Sequence, residues 1–188
     1  MSLCCDEVIM PNSVAAFAHE FTRHRRLVEQ ALLAISDDNF FRRPGESVNP
    51  IALIVKHLSG NLTSRWSDFL TSDGDKQGRN RDEEFVVTAQ DTRASLMAAW
   101  DEAWNIVDRT LAGLSDADLA RVVTIRGEPH TVLQALIRGV SHAAWHAGQI
   151  LYVARLFQAD APYLTIAPGA SRQSTVGRYL QPPGPKPA

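Results

Sequence analysis

Two histidines four residues apart, His142 and His146, are the part of the sequence best suited to chemistry. They lie in a stretch of helical character at residues 141–150. In an α-helix this spacing puts both rings on one face, with the Cβ atoms about 5–6 Å apart. Two neutral imidazoles at that separation can ligate one metal ion. Such a pair taken alone is more often structural. The hypothesis of a metal site therefore depends on whether the rest of the chain supplies further ligands.

A third histidine, His57, lies in an earlier segment of helical character. A projection of 100° per residue places His57, Asn61 and Asp68 on one strip of that helix, with Arg65 between the strip and the apolar face. In the later helix, Gln149 lies beside the histidine pair. If the two helices pack together, His57 can meet the pair, and the sequence then predicts a three-histidine site.

Three histidines would leave at least one coordination position open, which is typical of catalytic metal sites. Zinc is the first expectation, and nickel, iron or cobalt accept the same imidazoles. A bound ion lowers the pKa of water towards neutrality and holds a thiol as thiolate, so either becomes a nucleophile at pH 7. Asn61 and Gln149 can orient the ligands, and Arg65 can bind an anionic substrate group or pair with Asp68.

Four amphipathic segments of about 20 residues are expected to position these side chains. The first begins at Asn12 or Ser13, and the second begins at Asn49-Pro50 and ends near residues 71–74. The third spans about residues 91–111, and the fourth about residues 131–157. This pattern predicts an all-α fold, a four-helix bundle.

A long polar connection, residues 73–89, joins the second and third helices. It is long enough to carry the chain from one end of a bundle to the other, which favours an up-down-down-up order. Its simplest role is a solvated crossover, and a lid over the site is the sharper alternative. A short β-branched segment, residues 122–125, predicts an extended stretch or small hairpin before the fourth helix.

Composition indicates one globular domain over residues 1–170 and an extended or disordered tail over residues 171–188, which is rich in proline. The net charge of −2, without a basic patch, argues against a nucleic-acid partner. No signal-peptide pattern and no long apolar run occur, so we expect no membrane association and a cytoplasmic location. Cys4 and Cys5 are adjacent and cannot form a disulfide framework.

The segment His142-Ala143-Ala144-Trp145-His146-Ala147-Gly148-Gln149-Ile150 resembles the H-x-x-x-H-x-G-Q-I signature of the DinB-like superfamily. His57 matches the first ligand of that family, and residues 60–74, 79–85 and 124–128 are similar to one uncharacterised subfamily. The resemblance covers about residues 13–170. It implies an up-down-down-up bundle, often dimeric, with a divalent metal, commonly zinc or nickel, on His57, His142 and His146.

Three functions are compatible with these features. The first is a metal-dependent enzyme acting on a small molecule, either a hydrolase or a thiol S-transferase, because the resemblance implies low-molecular-weight thiol cosubstrates such as bacillithiol or mycothiol. The second is a non-catalytic metal-binding module of a stress response. The third is an interaction domain whose histidines bind no metal. The signature fixes no catalytic acid or base, so whether the chain is an enzyme stays open at this point.

Overall fold

The computed structural model describes residues 12–163, 166 and 168–170. The predictions for Cys4, Cys5 and the tail at residues 171–188 lie outside these residues. The described chain is mostly helical, consistent with the predicted all-α class, and it contains one small antiparallel sheet. The helices and strands are α1 (Ser13–Ala34), α2 (Asp37–Phe41), α3 (Ile51–Trp66), α4 (Arg93–Ala112), β1 (Val122–Ile125), β2 (Glu128–Thr131) and α5 (Val132–Phe157).

Side-chain caps explain where the long helices begin. The Asn12 side chain accepts a hydrogen bond from the Ala15 amide at the start of α1, as predicted. Capping boxes begin α4 at Thr92 and α5 at Thr131, and each satisfies two amide groups that the helix leaves unpaired. At its other end α4 is followed by Gly113 as the C-cap residue.

The helices differ from the sequence-based expectation at one boundary and in one additional short helix. Helix α3 ends at Trp66, so its predicted extension to residues 71–74 is wrong. Asp68 has a positive φ of 46° and lies beyond the helix, which removes it from the strip that carries His57. Residues 37–41, which lie between the first two predicted segments, form the additional short α2, because Ser36 caps it and Phe40 is buried beneath it.

The long helices pack around a tryptophan-rich core. Helix α3 packs on α4 and α5, and α1 packs on the same two helices. Near their starts, α3 and α4 are joined by Lys56 Nζ, which donates to Asp91 Oδ2 over 2.8 Å. Near their ends, Thr110 Oγ1 donates to the Trp66 carbonyl over 2.9 Å. The largest buried side chains include Phe21, Trp66, Trp100 and Trp104.

Close approach of α5 to the core depends on Gly139. A Cβ atom at this position would lie 2.5 Å from Trp66 Cζ2 and 3.1 Å from Phe21 Cζ, and both rings are buried. Any side chain here would therefore push α5 away from α1 and α3. Gly139 lies one turn before His142, so this contact sets how near the histidine pair comes to α3.

The connection between α3 and α4 folds back along α3. At one end, Ser64 Oγ accepts from the Lys76 amide over 3.0 Å, and at the other end Lys56 Nζ donates to the Val86 carbonyl over 2.9 Å. Between them, a 3₁₀ helix at Asp82–Phe85 contacts α3. The connection is therefore a packed part of the fold, and its side chains are available to the surroundings of His57.

Strands β1 and β2 form the small hairpin that the sequence suggested, pairing Val122 with Thr131 and Ile125 with Glu128. The turn residues Arg126 and Gly127 both have positive φ, as a tight two-residue hairpin turn requires. Asp73 holds this turn, because its carboxylate accepts from the Arg126 and Gly127 amides at 2.8 Å each. Within the described residues, no helix is long and apolar enough to span a bilayer.

Candidate metal centre

His57 of α3 and His142 and His146 of α5 come together as the sequence predicted. Their candidate ligand atoms lie within 4.8 Å of one another, so the group could hold a metal ion. The ring centroids are 4.5 Å apart for His142 and His146, and 5.0 and 5.5 Å from His57 to His146 and His142. His57 is buried, and the other two rings are partly buried at the helix interface.

The orientation of His57 is fixed by a buried carboxylate. His57 Nδ1 lies 2.8 Å from Glu84 Oε2, and Arg79 donates to both oxygens of Glu84, at 2.7 and 2.8 Å. Burial alone would raise the pKa of Glu84, but the hydrogen bonds from His57 and Arg79 outweigh it and lower the pKa. Glu84 is therefore ionised, Nδ1 of His57 is the donor, and the Nε2 lone pair remains free for a metal.

The chain approaches α3 closely at this point because residue 60 is a glycine. A Cβ atom there would collide with the Glu84 carboxylate. Phe85 packs against the His57 ring, with ring centroids 4.7 Å apart and an angle of 32° between the planes. The 3₁₀ helix thus supplies both the carboxylate that orients the imidazole and an apolar wall beside it.

His146 has its own orienting partner on the same helix. Its Nδ1 lies 2.7 Å from Gln149 Oε1, an acceptor, so Nδ1 carries the proton and Nε2 is left free. His146 Nε2 lies 3.1 Å from His142 Nε2. Nitrogens that each lie about 2.0–2.1 Å from one zinc ion are separated by a similar distance. The donor set therefore fits a divalent metal through the Nε2 atoms.

Burial keeps the histidine pair neutral. Burial, with the neighbouring rings of His146 and His57 and the charges of Arg65 and Arg79, lowers the pKa of His142 to about 3. Burial also lowers the pKa of His146, although its bond to Gln149 acts in the opposite direction. Both rings are therefore uncharged at pH 7, which is the state in which imidazole binds metals.

A cavity of about 460 Å³ opens beside His57 and His142. That volume lies in the range of small-molecule sites. Its walls come from α3, α5, the connection and the hairpin turn, and the residues lining it are His57, Asn61, Arg65, Arg79, Arg81, Arg126, Ala135, Arg138, Gly139, Ser141, His142 and Trp145. A metal held by the histidines would therefore be reached from an arginine-rich cavity.

The other predicted site residues divide into two groups. Asn61 and Arg65 line the cavity, whereas Gln149 lies behind His146 and contacts the cluster from outside the cavity wall. The suggested pairing of Arg65 with Asp68 does not form among the described residues, because Asp68 lies beyond the end of α3. Trp145, unlike the buried Trp66, Trp100 and Trp104, is 70% exposed and lies at the cavity.

Sequence reasoning missed the contribution of the connection and the hairpin. Glu84, Phe85, Arg79 and Arg81 come from an aperiodic segment, and Arg126 comes from a turn. The clustering of arginines and acids between residues 79 and 84 was visible in the sequence, but it resembles an ordinary solvated loop. The connection between α3 and α4 is therefore more than a solvated crossover, because its side chains form one wall of the site.

These features define a helical protein with a three-histidine candidate metal centre beside a cationic cavity. The chain belongs to the family described as "Protein of unknown function (DUF1572)", whose model matches residues 10–170. The chain is also similar to a solved structure described as "Crystal structure of the conserved protein of locus from Enterococcus faecalis". The two share 14% identity with a TM-score of 0.57, over 78% of this chain and 98% of that chain, which is a likeness of fold. No curated protein matches the chain.

Proposed function

We propose that this protein is a divalent-metal-dependent enzyme of the DinB-like kind that acts on a small molecule. The observation that carries the proposal is the position of the histidine cluster, which borders a cavity of about 460 Å³ and has no fourth metal-binding side chain among the described residues. Closed shells are typical of structural metals, whereas three protein ligands with an accessible side are typical of catalytic ones.

His57, His142 and His146 are the proposed ligands, with zinc or nickel as the metal. The ion would activate a water molecule or a thiol as a nucleophile near neutral pH. The chain's own residues orient the ligands: Glu84 and Arg79 hold His57, and Gln149 holds His146. Asn61 and Arg65 line the cavity and are proposed to contact the substrate.

The reaction class is a thiol S-transfer or a hydrolysis, and a low-molecular-weight thiol is the proposed cosubstrate of the former. The alternative is a non-catalytic metal-binding module of a stress response. The accessible cavity favours the enzyme, because a metal with a purely structural role needs no space for a second molecule.

The proposal includes an up-down-down-up arrangement of α1, α3, α4 and α5. The contacts of Lys56 with Asp91 and of Thr110 with Trp66 support parallel α3 and α4, since they join like ends of the two helices. The stacking of Arg42, just after α2, on Phe157 at the end of α5 supports a parallel α1 and α5. A cytoplasmic location and the absence of nucleic-acid and membrane partners remain part of the proposal.

Substitution of a ligand tests the enzyme directly. Full-length protein loaded with zinc or nickel is screened with thiol cosubstrates plus electrophiles, and with hydrolysable esters and amides. We expect turnover in one class and its loss in His142→Ala, because two histidines hold a metal less firmly than three. The control is His19→Ala, which removes a histidine of α1 outside the cluster.

Unchanged turnover in His142→Ala, with its melting temperature preserved, would contradict the metal-dependent enzyme. A large fall in melting temperature on chelation, with no turnover in any assay class, would favour the non-catalytic module.

A further inference from the structure

Five arginines from different parts of the fold converge on the cavity beside the histidine cluster. Arg65 comes from α3, Arg79 and Arg81 from the connection, Arg126 from the hairpin turn and Arg138 from α5. Guanidinium groups repel one another in a confined space unless anions lie between them. Convergence from separate elements therefore points to a negative charge that belongs in this cavity.

The protein itself supplies only part of that negative charge. Glu84 pairs with Arg79, at 2.7 Å. Asp75 pairs with Arg126 at 2.9 Å and, at 3.5 Å, with Arg79. Among the described residues, no carboxylate forms an ion pair with the three remaining arginines, which are Arg65, Arg81 and Arg138.

Arg65 is the clearest of these unpaired cations. Arg65 is 8% exposed, and its Nη1 atom is fully buried without a hydrogen-bond partner among the described residues. Its position is confined, since a Cβ atom on Gly74 would lie 3.0 Å from Arg65 Cδ. Burial, followed by the charge of Arg138, lowers the pKa of Arg65 to about 10, so the group stays charged at pH 7. A buried cation with an unused donor needs an acceptor.

Each of the two other unpaired arginines contacts an aromatic side chain. Arg138 Nη1 lies 3.2 Å from His130 Nε2, and the Arg81 guanidinium lies 5.1 Å from the ring centroid of Phe85. These contacts restrict the side chains without neutralising them. Both arginines can therefore contribute to binding an anion with little further loss of conformational freedom.

We propose that the cavity binds a small organic molecule with at least two negative charges, and that Arg65 and Arg138 hold one of its carboxylate or phosphate groups. The planar guanidinium presents paired donors that match either oxyanion. The cavity of about 460 Å³ fits a metabolite-sized molecule. Because His57 and His142 line the same cavity, the remainder of the molecule lies beside the histidine cluster, and its role as substrate rests on the proposed function.

Calorimetric titration of metal-free full-length protein tests the anion site separately from the metal. The probes are inorganic phosphate and succinate, with acetate as the singly charged comparison, and any chelator is removed first because it is itself a polyanion. We expect phosphate or succinate to bind with a Kd below about 1 mM, and acetate at least tenfold more weakly. Whichever dianion binds more tightly identifies the preferred oxyanion.

The variants are Arg65→Met and Arg138→Gln, each expected to weaken dianion binding by at least about tenfold. Arg109→Gln is the matched control, because it removes an exposed arginine that pairs with Glu102 outside the cavity. Arg138 is exposed, so its replacement tests the site even if Arg65→Met fails to fold. In the folded Arg65→Met protein, metal content is expected to remain that of the wild type.

Absence of binding by both dianions, or equal binding by wild type, Arg65→Met and Arg138→Gln, would overturn the anion site. Dianion binding retained by His142→Ala would support it, since the arginines are intact in that variant. A wild type that holds no metal but binds the dianions would count against the proposed enzyme and leave the anion site standing. The two proposals are therefore separable.

Discussion

At the scale of single residues, His57, Glu84 and Arg79 form a buried chain of hydrogen bonds that leads away from the candidate metal centre. The carboxylate accepts from both neighbours, so it fixes which nitrogen of His57 carries the proton. Carboxylates behind metal-binding histidines raise the basicity of the ligand and hold its ring in place. The same chain places Arg79 at the cavity wall, where its charge is already neutralised.

Replacing the carboxylate by an amide tests this role. In Glu84→Gln, we expect metal affinity to fall by about 10–100-fold, because the amide is a weaker acceptor and need not enforce the His57 tautomer. Competition with a chromogenic chelator measures the affinity. Glu83→Gln is the control, since Glu83 is exposed and adjacent in sequence. Equal affinities for the two variants would show that Glu84 does not support the ligand.

At the scale of elements, two glycines of α5 have opposite environments. A Cβ atom at Gly139 would collide with the buried Trp66 ring, whereas a Cβ atom at Gly148 would meet nothing within 4 Å. Gly139 is therefore required by packing, and Gly148 has only the unfavourable helix propensity of glycine. Substituting each glycine in turn therefore distinguishes the packing contact that positions α5 from the general effect of glycine on helix stability.

Alanine substitutions at both positions give a matched prediction. Gly139→Ala should destabilise the protein by about 1–3 kcal/mol through overpacking, and it should weaken metal binding because α5 moves away from His57. Gly148→Ala should stabilise it by about 0.5–1 kcal/mol. Urea unfolding measures both values. Similar stability changes in the two variants would contradict the close packing of α5 on Trp66.

The connection and the hairpin are joined through Asp73, whose carboxylate accepts from the Gly127 and Arg126 amides. Hydrogen bonds from Gly127, Asp75 and Arg126 lower the pKa of Asp73 below its usual value. A depressed pKa means that this contribution to stability is present above the unfolded pKa of about 3.9 and is lost as pH falls through the lower folded value. The stability contributed by ionised Asp73 is therefore lost below about pH 4.

Removal of this carboxylate should have a pH-dependent effect on stability. Asp73→Ala is expected to lower the free energy of unfolding by about 1–2 kcal/mol at pH 6, because two turn amides lose their acceptor. The difference from wild type should shrink below about pH 4. Urea unfolding at several pH values measures it, with the exposed Asp82→Ala as control. A difference that stays constant down to pH 3 would contradict an ionised Asp73 as the link.

Periodicity explains how far the sequence could predict these elements. Apolar residues recurring at helical spacing located the long helices, and the same projection placed His57, His142 and His146 on the flanks of their apolar faces. The end of α3 was misplaced because buried Phe69 continues the apolar pattern beyond the helix. Periodicity could not predict the role of Glu84, because Glu84 comes from a segment without periodicity. It also could not predict the burial of Arg65, because the connection that folds back along α3 covers this side chain.

At the scale of the whole molecule, α5 also carries an exposed apolar face. Ile137, Trp145, Tyr152 and Leu156 lie within an arc of about 100° on this helix, and Trp145 and Tyr152 are 70% and 77% exposed. Contiguous exposed apolar residues of this size are typical of interaction surfaces. We propose on this basis the homodimer that the family resemblance implies, in which two copies of α5 would pack near the cavities.

Replacement of Tyr152 by arginine tests the dimer. Sedimentation equilibrium of the wild type should give twice the 20.7 kDa of one chain, and Tyr152→Arg should shift the mass towards the monomer because it places a charge in an apolar contact. Leu33→Arg is the control, since Leu33 is exposed on α1. A monomeric wild type, or a dimer that both variants preserve, would contradict an α5 interface.

The metal itself is the central claim, and elemental analysis of the full chain tests it most directly. The protein is purified without a polyhistidine tag, since a tag would bring its own ligands. We predict about one equivalent of zinc or nickel per chain in the wild type and a marked loss in His142→Ala. Less than about 0.1 equivalent in the wild type, unchanged after incubation with zinc or nickel, would contradict a metal centre at His57, His142 and His146.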